Sequence, residues 1–445
     1  MDLREQIDEL MPRARADLAD LVAIRSVADP RQFPAVECER AATWVVRNFA
    51  QVGFTDLGTH LTADGSKAVF GVRPAADPDA PTVLLYAHYD VQPPLDEKAW
   101  RTPPFQLTPV GGRWYGRGAA DCKGNIVMHL TALRALGDDV PVNLKLIVEG
   151  SEEQGTGGLE DFVTRNPELL RADAILVCDT GNAAVGVPAT TVTLRGLVNV
   201  VVSVSALGGE LHSGMFGGAA PDALAALIQI LSSLRDRAGN TTIAGLDNEQ
   251  TWLGAPYPPS QFRADAGLID EARLLGDGSV SDMIWARPAV TVLGIDCPPV
   301  VGSAAAIQPR ARARLNLRVP PGMDAVKAQD ALIAQLHAVA PWGVRVEVTP
   351  EAVGQPFAAR TGGPAYQALG SAMREAYGRE MTALGQGGSI PLCNVLADTY
   401  PAAEIILMGV EEPLALIHAP NESVHPGEIA RLAYAEALFL QRYRG

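Results

Sequence analysis

The sequence predicts an α/β protein in which a discontinuous domain with a mostly parallel central sheet carries an inserted α+β domain. Three observations predict it. Between Thr82 and Val177, short apolar runs rich in β-formers alternate with helical segments, the alternation that buries a parallel sheet between helices. After about Val187 the strands turn to alternating patterns, as half-exposed sheets do. From about Gly363 the first texture returns. The expected boundaries are 1–190 and 360–445 for the α/β domain and 191–359 for the insertion.

Each element follows from its local pattern. Leu3, Ile7, Leu10, Met11, Leu18, Leu21 and Val22 recur at helical spacing, so one or two amphipathic helices open the chain. Glu37 to Val52 reads as a helix ended by Gly53, and Thr82 to Ala87 as a buried strand. A helix from Asn125 to Leu136 follows, stopped by Gly137, then buried strands at Val142 to Val148 and Ala174 to Val177. In the insertion, Thr191 to Ala206 reads as one long strand, Asp222 to Arg235 as a helix and Thr241 to Asp282 as loop. Ala311 to Val319 is a strand with one wet face, Asp324 to Val339 a helix and Val344 to Val348 a final strand. A helix around Tyr366 to Tyr377, a strand at Glu404 to Met408 and a helix from Gly427 to Tyr443 close the chain.

Composition excludes several classes. The 445 residues carry 36 basic and 51 acidic side chains, a formal charge of −15, which argues against nucleic-acid or anionic-membrane partners. No apolar run approaches the roughly 18 residues that cross a bilayer. Asp2, Glu5, Asp8 and Glu9 stand where a secretory signal would be basic and then apolar. Cys38, Cys122, Cys178, Cys297 and Cys393 are odd in number and form no CxxC, the pattern of reduced thiols in a cytoplasmic protein.

The chemistry gathers where buried strands end, the place where open α/β sheets hold ligands. His88 and Asp90 are two apart in an extended segment and so face one site; Asp90 can hold the second nitrogen of a metal-bound His88 or satisfy a core histidine. Asp121, in the glycine-rich segment Gly116 to Gly124, reads either as a helix N-cap or as a carboxylate bridging two cations. Glu152 and Glu153 follow a buried strand abruptly, and adjacent carboxylates repel unless something positive neutralises them. Asp179 follows the next strand, and His418 lies in Leu416 to Glu422. His88, Asp121, Glu153, Asp179 and His418 form a nitrogen and oxygen donor set suited to Zn, Mn or Co. Two cations sharing Asp121, about 3.5–4 Å apart, would turn a shared water into hydroxide near neutral pH, with Glu152 as general base.

The His-x-Asp-Val, Gly-Arg-Gly-Ala-x-Asp-x-Lys-Gly, Glu-Gly-x-Glu-Glu and His-x-Pro-Asn-Glu segments, in this order, resemble the carnosinase-like branch of the aminoacylase/carboxypeptidase metallohydrolases, which includes cytosolic nonspecific dipeptidases. The resemblance implies two divalent ions, most simply Zn: His88 and Asp179 on one, Glu153 and His418 on the other, Asp121 bridging. It further implies that Asp90 orients His88 and that Glu152 is the base. Gly209 to Gly218 is similar to the family's lid segment, whose histidine, here His212, acts in the partner subunit of a homodimer by steadying an oxyanion. By the same resemblance Arg318 binds the substrate's terminal carboxylate, and Gly388 and Ser389 of Gly-Gly-Ser-Ile-Pro touch the substrate.

Two departures bear on the substrate. Close dipeptidase relatives often carry Arg-Glu before Gly-Gly-Ser-Ile-Pro, where this chain has Gly385-Gln386, and a Thr or Asn where it has Ala306. His60, His129, His337 and His425 read as ordinary structural or loop histidines, and Arg310, Arg312 and Arg314 as solvated or structural. The glycines at 155, 157 and 158 make no phosphate-binding fingerprint, and Ser389 lacks a GxSxG elbow. The expected activity is hydrolysis of dipeptides or short C-terminal peptide substrates. Deacylation of N-acyl amino acids is the alternative with the same machinery. A non-catalytic binding protein would have lost a ligand or the base, and none is lost.

Overall fold

The computed structural model describes residues Asp2–Gly445. The chain divides into two compact units, one of residues 1–192, 359–384 and 391–445, the other of 193–358 and 385–390.

The first unit is built on a nine-stranded mixed sheet. Its heart is parallel: Asn143–Glu149, Thr82–His88, Ala174–Cys178 and Glu404–Met408 run side by side in that order. These are the four apolar runs of the sequence. Their fully apolar texture follows from helices covering both faces. On one side the hairpin Thr55–Leu61 and Lys67–Arg73 joins antiparallel to Asn143–Glu149, and on the other Ala189–Leu194 joins Glu404–Met408 antiparallel. The sheet is thus parallel at its centre and antiparallel on both sides. The hairpin was not anticipated, because its outer strand is largely exposed and lacks an apolar run.

Leu3–Ala23, Lys123–Leu136, Pro426–Arg442 and Pro364–Tyr377 pack in succession over one face. The opening segment is a single helix through Pro12, capped by Asp2 and Glu5. His129, buried in the second of these helices, sets its Nδ1 2.8 Å from Glu436 Oε2 and ties two helices together. His425 caps the Pro426–Arg442 helix by accepting from Gly427 N–H. Among the described residues no helix is long and apolar enough to cross a membrane, and all five cysteines are free.

The second unit is a four-stranded antiparallel sheet in the order Ala289–Asp296, Arg310–Val319, Gly196–Ser205, Arg345–Gly354. Helices Ala223–Ser232 and Ala325–Ala338 cover one face, burying Val198, Val200, Val202 and Val204 with Ala313, Leu315 and Leu317. The long strand expected from Thr191 to Ala206 is two strands, Ala189–Leu194 and Gly196–Ser205, interrupted at Arg195. Gly196 explains the break, since a Cβ there would collide with the carbonyl oxygen of Gly354. The expected loop from Thr241 to Asp282 contains a short helix, Pro259–Asp265.

Gly196→Ala should therefore cost ~1–3 kcal/mol through overpacking. Gly58→Ala, with nothing within 4 Å, should change stability by less than about 0.5 kcal/mol. Urea-unfolding midpoints of the two variants check the contrast.

Candidate metal centre

Because the four central strands are parallel, their carboxyl ends share one edge of the sheet. His88 ends one strand, Glu152 and Glu153 follow the next, and Asp179 succeeds Cys178. Glu411 lies three residues beyond Met408.

Asp121 joins them. Its Oδ1 lies 2.9 Å from His88 Nε2 and its Oδ2 lies 2.9 Å from His418 Nε2. Asp179 Oδ1 stands 3.0 Å from His88 Nε2, and Glu153 Oε2 3.2 Å from His418 Nε2. One carboxylate thus addresses two separate pairs, His88 with Asp179 and His418 with Glu153. Ligand atoms of Asp121, Glu153 and His418 lie within 4.8 Å of one another, as do those of Asp121, Asp179 and Glu411. An Nε2 carries at most one proton, yet each of these two faces two carboxylate oxygens. Oxygen and imidazole donors crowded in this way fit a pair of divalent cations.

The electrostatics point the same way. Hydrogen bonds donated to Asp121 and Glu153 raise His418 to about 11. Burial, and then the charge of Asp179, pushes the Glu152 carboxyl well above the usual carboxylate range. Glu411 is pushed up by burial, and then by Asp121 and Asp179. So much negative charge in one pocket needs positive charge to hold it together.

The backbone around the cluster is fixed by other charged groups. The helix after the glycine-rich loop begins at Lys123 with no side-chain cap, so Asp121 is not an N-cap. Its loop wraps Glu422, whose carboxylate accepts from Gly118, Ala120 and Asp121 N–H and from Arg117 Nη1 at 2.7 Å. Arg117 also donates to Ala419 O, anchoring the loop in which His418 adopts φ +61°. Buried Lys123 donates to the carbonyls of Leu21 and Ile24. Asp90 acts twice: its main-chain oxygen lies 3.0 Å from His88 Nδ1, closer than its carboxylate at 3.4 Å. The carboxylate accepts from the N–H groups of Glu152 and Glu153. Cys122 donates its thiol proton to Cys178 O, and burial pushes that thiol upward, which leaves it a neutral wall residue.

The remaining expected site residues belong to the second unit. His212 is exposed and accepts from Gly214 N–H through Nδ1, leaving Nε2 without a partner among the described residues. Ala306 pairs directly with it across a short antiparallel ladder. Arg318 is the penultimate residue of the Arg310–Val319 strand, and Gly388 and Ser389 lie in the 385–390 segment.

Residues 84–442 match the family described as Peptidase family M20/M25/M40. A cysteinylglycine-S-conjugate dipeptidase of Corynebacterium striatum is 44% identical over 442 residues, 98% of this chain and 97% of that one. The chain belongs to peptidase family M20/M25/M40. A β-Ala-His dipeptidase of Rattus norvegicus is 28% identical, covering 93% of this chain and 85% of its own. The crystal structure of human carnosine dipeptidase 1 shares the fold, with a TM-score of 0.80 at 24% identity over 99% of this chain and 97% of that one. Membership in this metallopeptidase family implies the use of divalent metal ions.

Within this M20 chain, two features escaped the sequence. Glu411 carries the same signal as Glu153, an adjacent glutamate pair after an apolar strand, and could have been found by it. The role of Glu422 is invisible locally, because its partners lie some three hundred residues earlier. The substitution at Gly385 also has a physical reason: a Cβ there would stand 2.5 Å from Trp285 Cγ. Trp285 fills that space, stacked on Tyr257 and edge-on to Trp252.

Glu422→Gln removes the charge that gathers the loop of Asp121. Metal affinity should fall ~10–100-fold, read by equilibrium dialysis against Zn and elemental analysis.

Proposed function

We propose that the protein is a two-metal dipeptidase that hydrolyses the amide bond of dipeptides carrying a free terminal carboxylate. The observation that carries the reading is Asp121, whose two oxygens each meet a histidine and whose histidines each meet a further carboxylate. His88 and Asp179 would hold one cation, His418 and Glu153 the other, and Asp121 both. Zn is the first candidate, with Mn and Co also suited to the donor set. When bound, such a pair lowers the pKa of water and polarises the scissile carbonyl.

The side chains supply the rest. The Glu152 carboxylate has no hydrogen-bond partner among the described residues and is pushed toward the protonated form, properties of a group that takes a proton and returns it. It would accept a proton as water adds to the carbonyl and deliver it to the nitrogen as the C–N bond breaks. Arg318 would grip the free carboxylate with its planar fork, and Gly388 and Ser389 would line the substrate. The exposed His212, with Nε2 uncommitted, would serve the partner subunit of a homodimer by donating to the developing oxyanion. Cysteinylglycine S-conjugates head the substrate panel, since the 44% identical relative is named for them. N-acyl amino acids test the alternative of deacylation. The free cysteines and the acidic composition support a cytoplasmic setting.

Glu152→Gln should keep both metals while turnover falls by ~10²–10⁴-fold; near-normal rates would remove its assignment as base. Mixing inactive Glu152→Gln with inactive His212→Ala should restore activity, because a mixed dimer holds one site with both groups intact. Failure of the mixture, with subunit exchange verified, would exclude the role in trans.

A further inference from the structure

Several arginines of the second unit have an evident counterion, and Arg235 and Arg263 donate to main-chain carbonyls. On the Arg310–Val319 strand, Arg312 pairs with Asp296 and Arg314 with Glu351. Arg287 pairs with Asp277. The side chain of Arg318, one residue before the end of that strand, has no hydrogen bond or ion pair among the described residues. Arg195, at the break before the Gly196–Ser205 strand, is more unusual. Its Nε and Nη1 are buried and without any hydrogen-bond partner.

Orphan guanidinium nitrogens occur elsewhere, on Arg117, Arg134 and Arg431, but each of those side chains still has a carboxylate: Glu422, Asp17 and Glu428. Arg195 has none. A buried guanidinium without an anion is costly, and such groups persist where a ligand completes them. Burial, and then the like charge of Arg318, lowers Arg195 to about 10. The strand pairing explains the proximity of the two, since Arg318 lies opposite Leu197, two residues from Arg195.

The surroundings are shaped for this side chain. Arg195 N–H donates to Gln386 O, which joins the break in the strand to the Gly-Gly-Ser-Ile-Pro segment. A Cβ at Gly387 would stand 2.8 Å from Arg195 Nη2, so the absence of a side chain there keeps room for the guanidinium. Ser389 lies in the same segment, its Oγ 3.6 Å from where a Cβ on Gly354 would be. Arg195 thus lies beside a glycine-lined segment with the like charge of Arg318 nearby, and neither side chain has a carboxylate partner among the described residues.

We propose that Arg195 is a second carboxylate anchor, which with Arg318 holds the terminal carboxylate of the substrate. This rests on the dipeptidase reading above and extends it. One guanidinium can meet both oxygens of a carboxylate, and a second strengthens discrimination against ligands that lack the charge. With two anchors, a C-terminal amide loses at both and leaves two half-buried charges unpaired.

The experiment compares Ala-Gly with its C-terminal amide on the metal-loaded, full-length enzyme. Wild type should prefer the acid, and Arg195→Met should lower kcat/KM for Ala-Gly ~10–100-fold while changing the amide less than about threefold. Arg195→Lys should recover part of the loss. Arg312→Ala, on the same strand but paired with Asp296, should leave both rates unchanged. Should Arg195→Met fail to fold, Gly387→Ala, which displaces the guanidinium, should show the same selective loss. Equal losses on acid and amide, or no loss on Ala-Gly, would overturn the role of Arg195 while leaving the dipeptidase reading in place. A wild type inert toward Ala-Gly and every other dipeptide would overturn both.

Discussion

Negative charge collected in one place is the constraint to which the rest of this molecule answers. Glu153, Asp179 and Glu411 follow the ends of parallel strands, and the glycine-rich loop brings Asp121 against them, with His88 and His418 as the potential cations among the described residues. Carboxylates this close destabilise one another unless protons or metal ions intervene. The sheet brings them together because parallel strands place all their carboxyl ends on one edge, and hydrophobic burial of the strands fixes that edge. The stability of the fold is thus set against the repulsion of the site.

The surrounding structure holds the cluster by charge as much as by packing. Glu422 and Arg117 are a fully buried pair, and the backbone N–H groups of the Asp121 loop close around the carboxylate. Asp90 does the same for the Glu152 and Glu153 backbone. A buried pair of this kind contributes little net stability, but removal of either partner leaves an uncompensated charge. Its value is geometric, because it aims ligands that lie hundreds of residues apart in sequence.

Much of this was legible in the sequence because the central strands are buried on both faces and therefore apolar throughout. Against that background His88 and the abrupt acids Glu152, Glu153 and Asp179 stand out. Exposed edge elements were not, since Thr55–Leu61 carries no comparable pattern. The break at Arg195 was hidden because it depends on the approach of Gly354 from a distant strand. The tie between Glu422 and the glycine-rich loop was hidden for the same reason, and so was the Trp285 ring that fills the space at Gly385. Local pattern reports burial and chemistry; it does not report which distant backbone comes near.

The central claim is that the Asp121 carboxylate is shared by two cations. Anomalous diffraction from crystals of the Zn- or Mn-loaded protein measures it directly. The account predicts two peaks, one on each side of Asp121, about 3.5–4 Å apart, with His88 and Asp179 against one and His418 and Glu153 against the other. A single peak, or two ions that do not share Asp121, would contradict it.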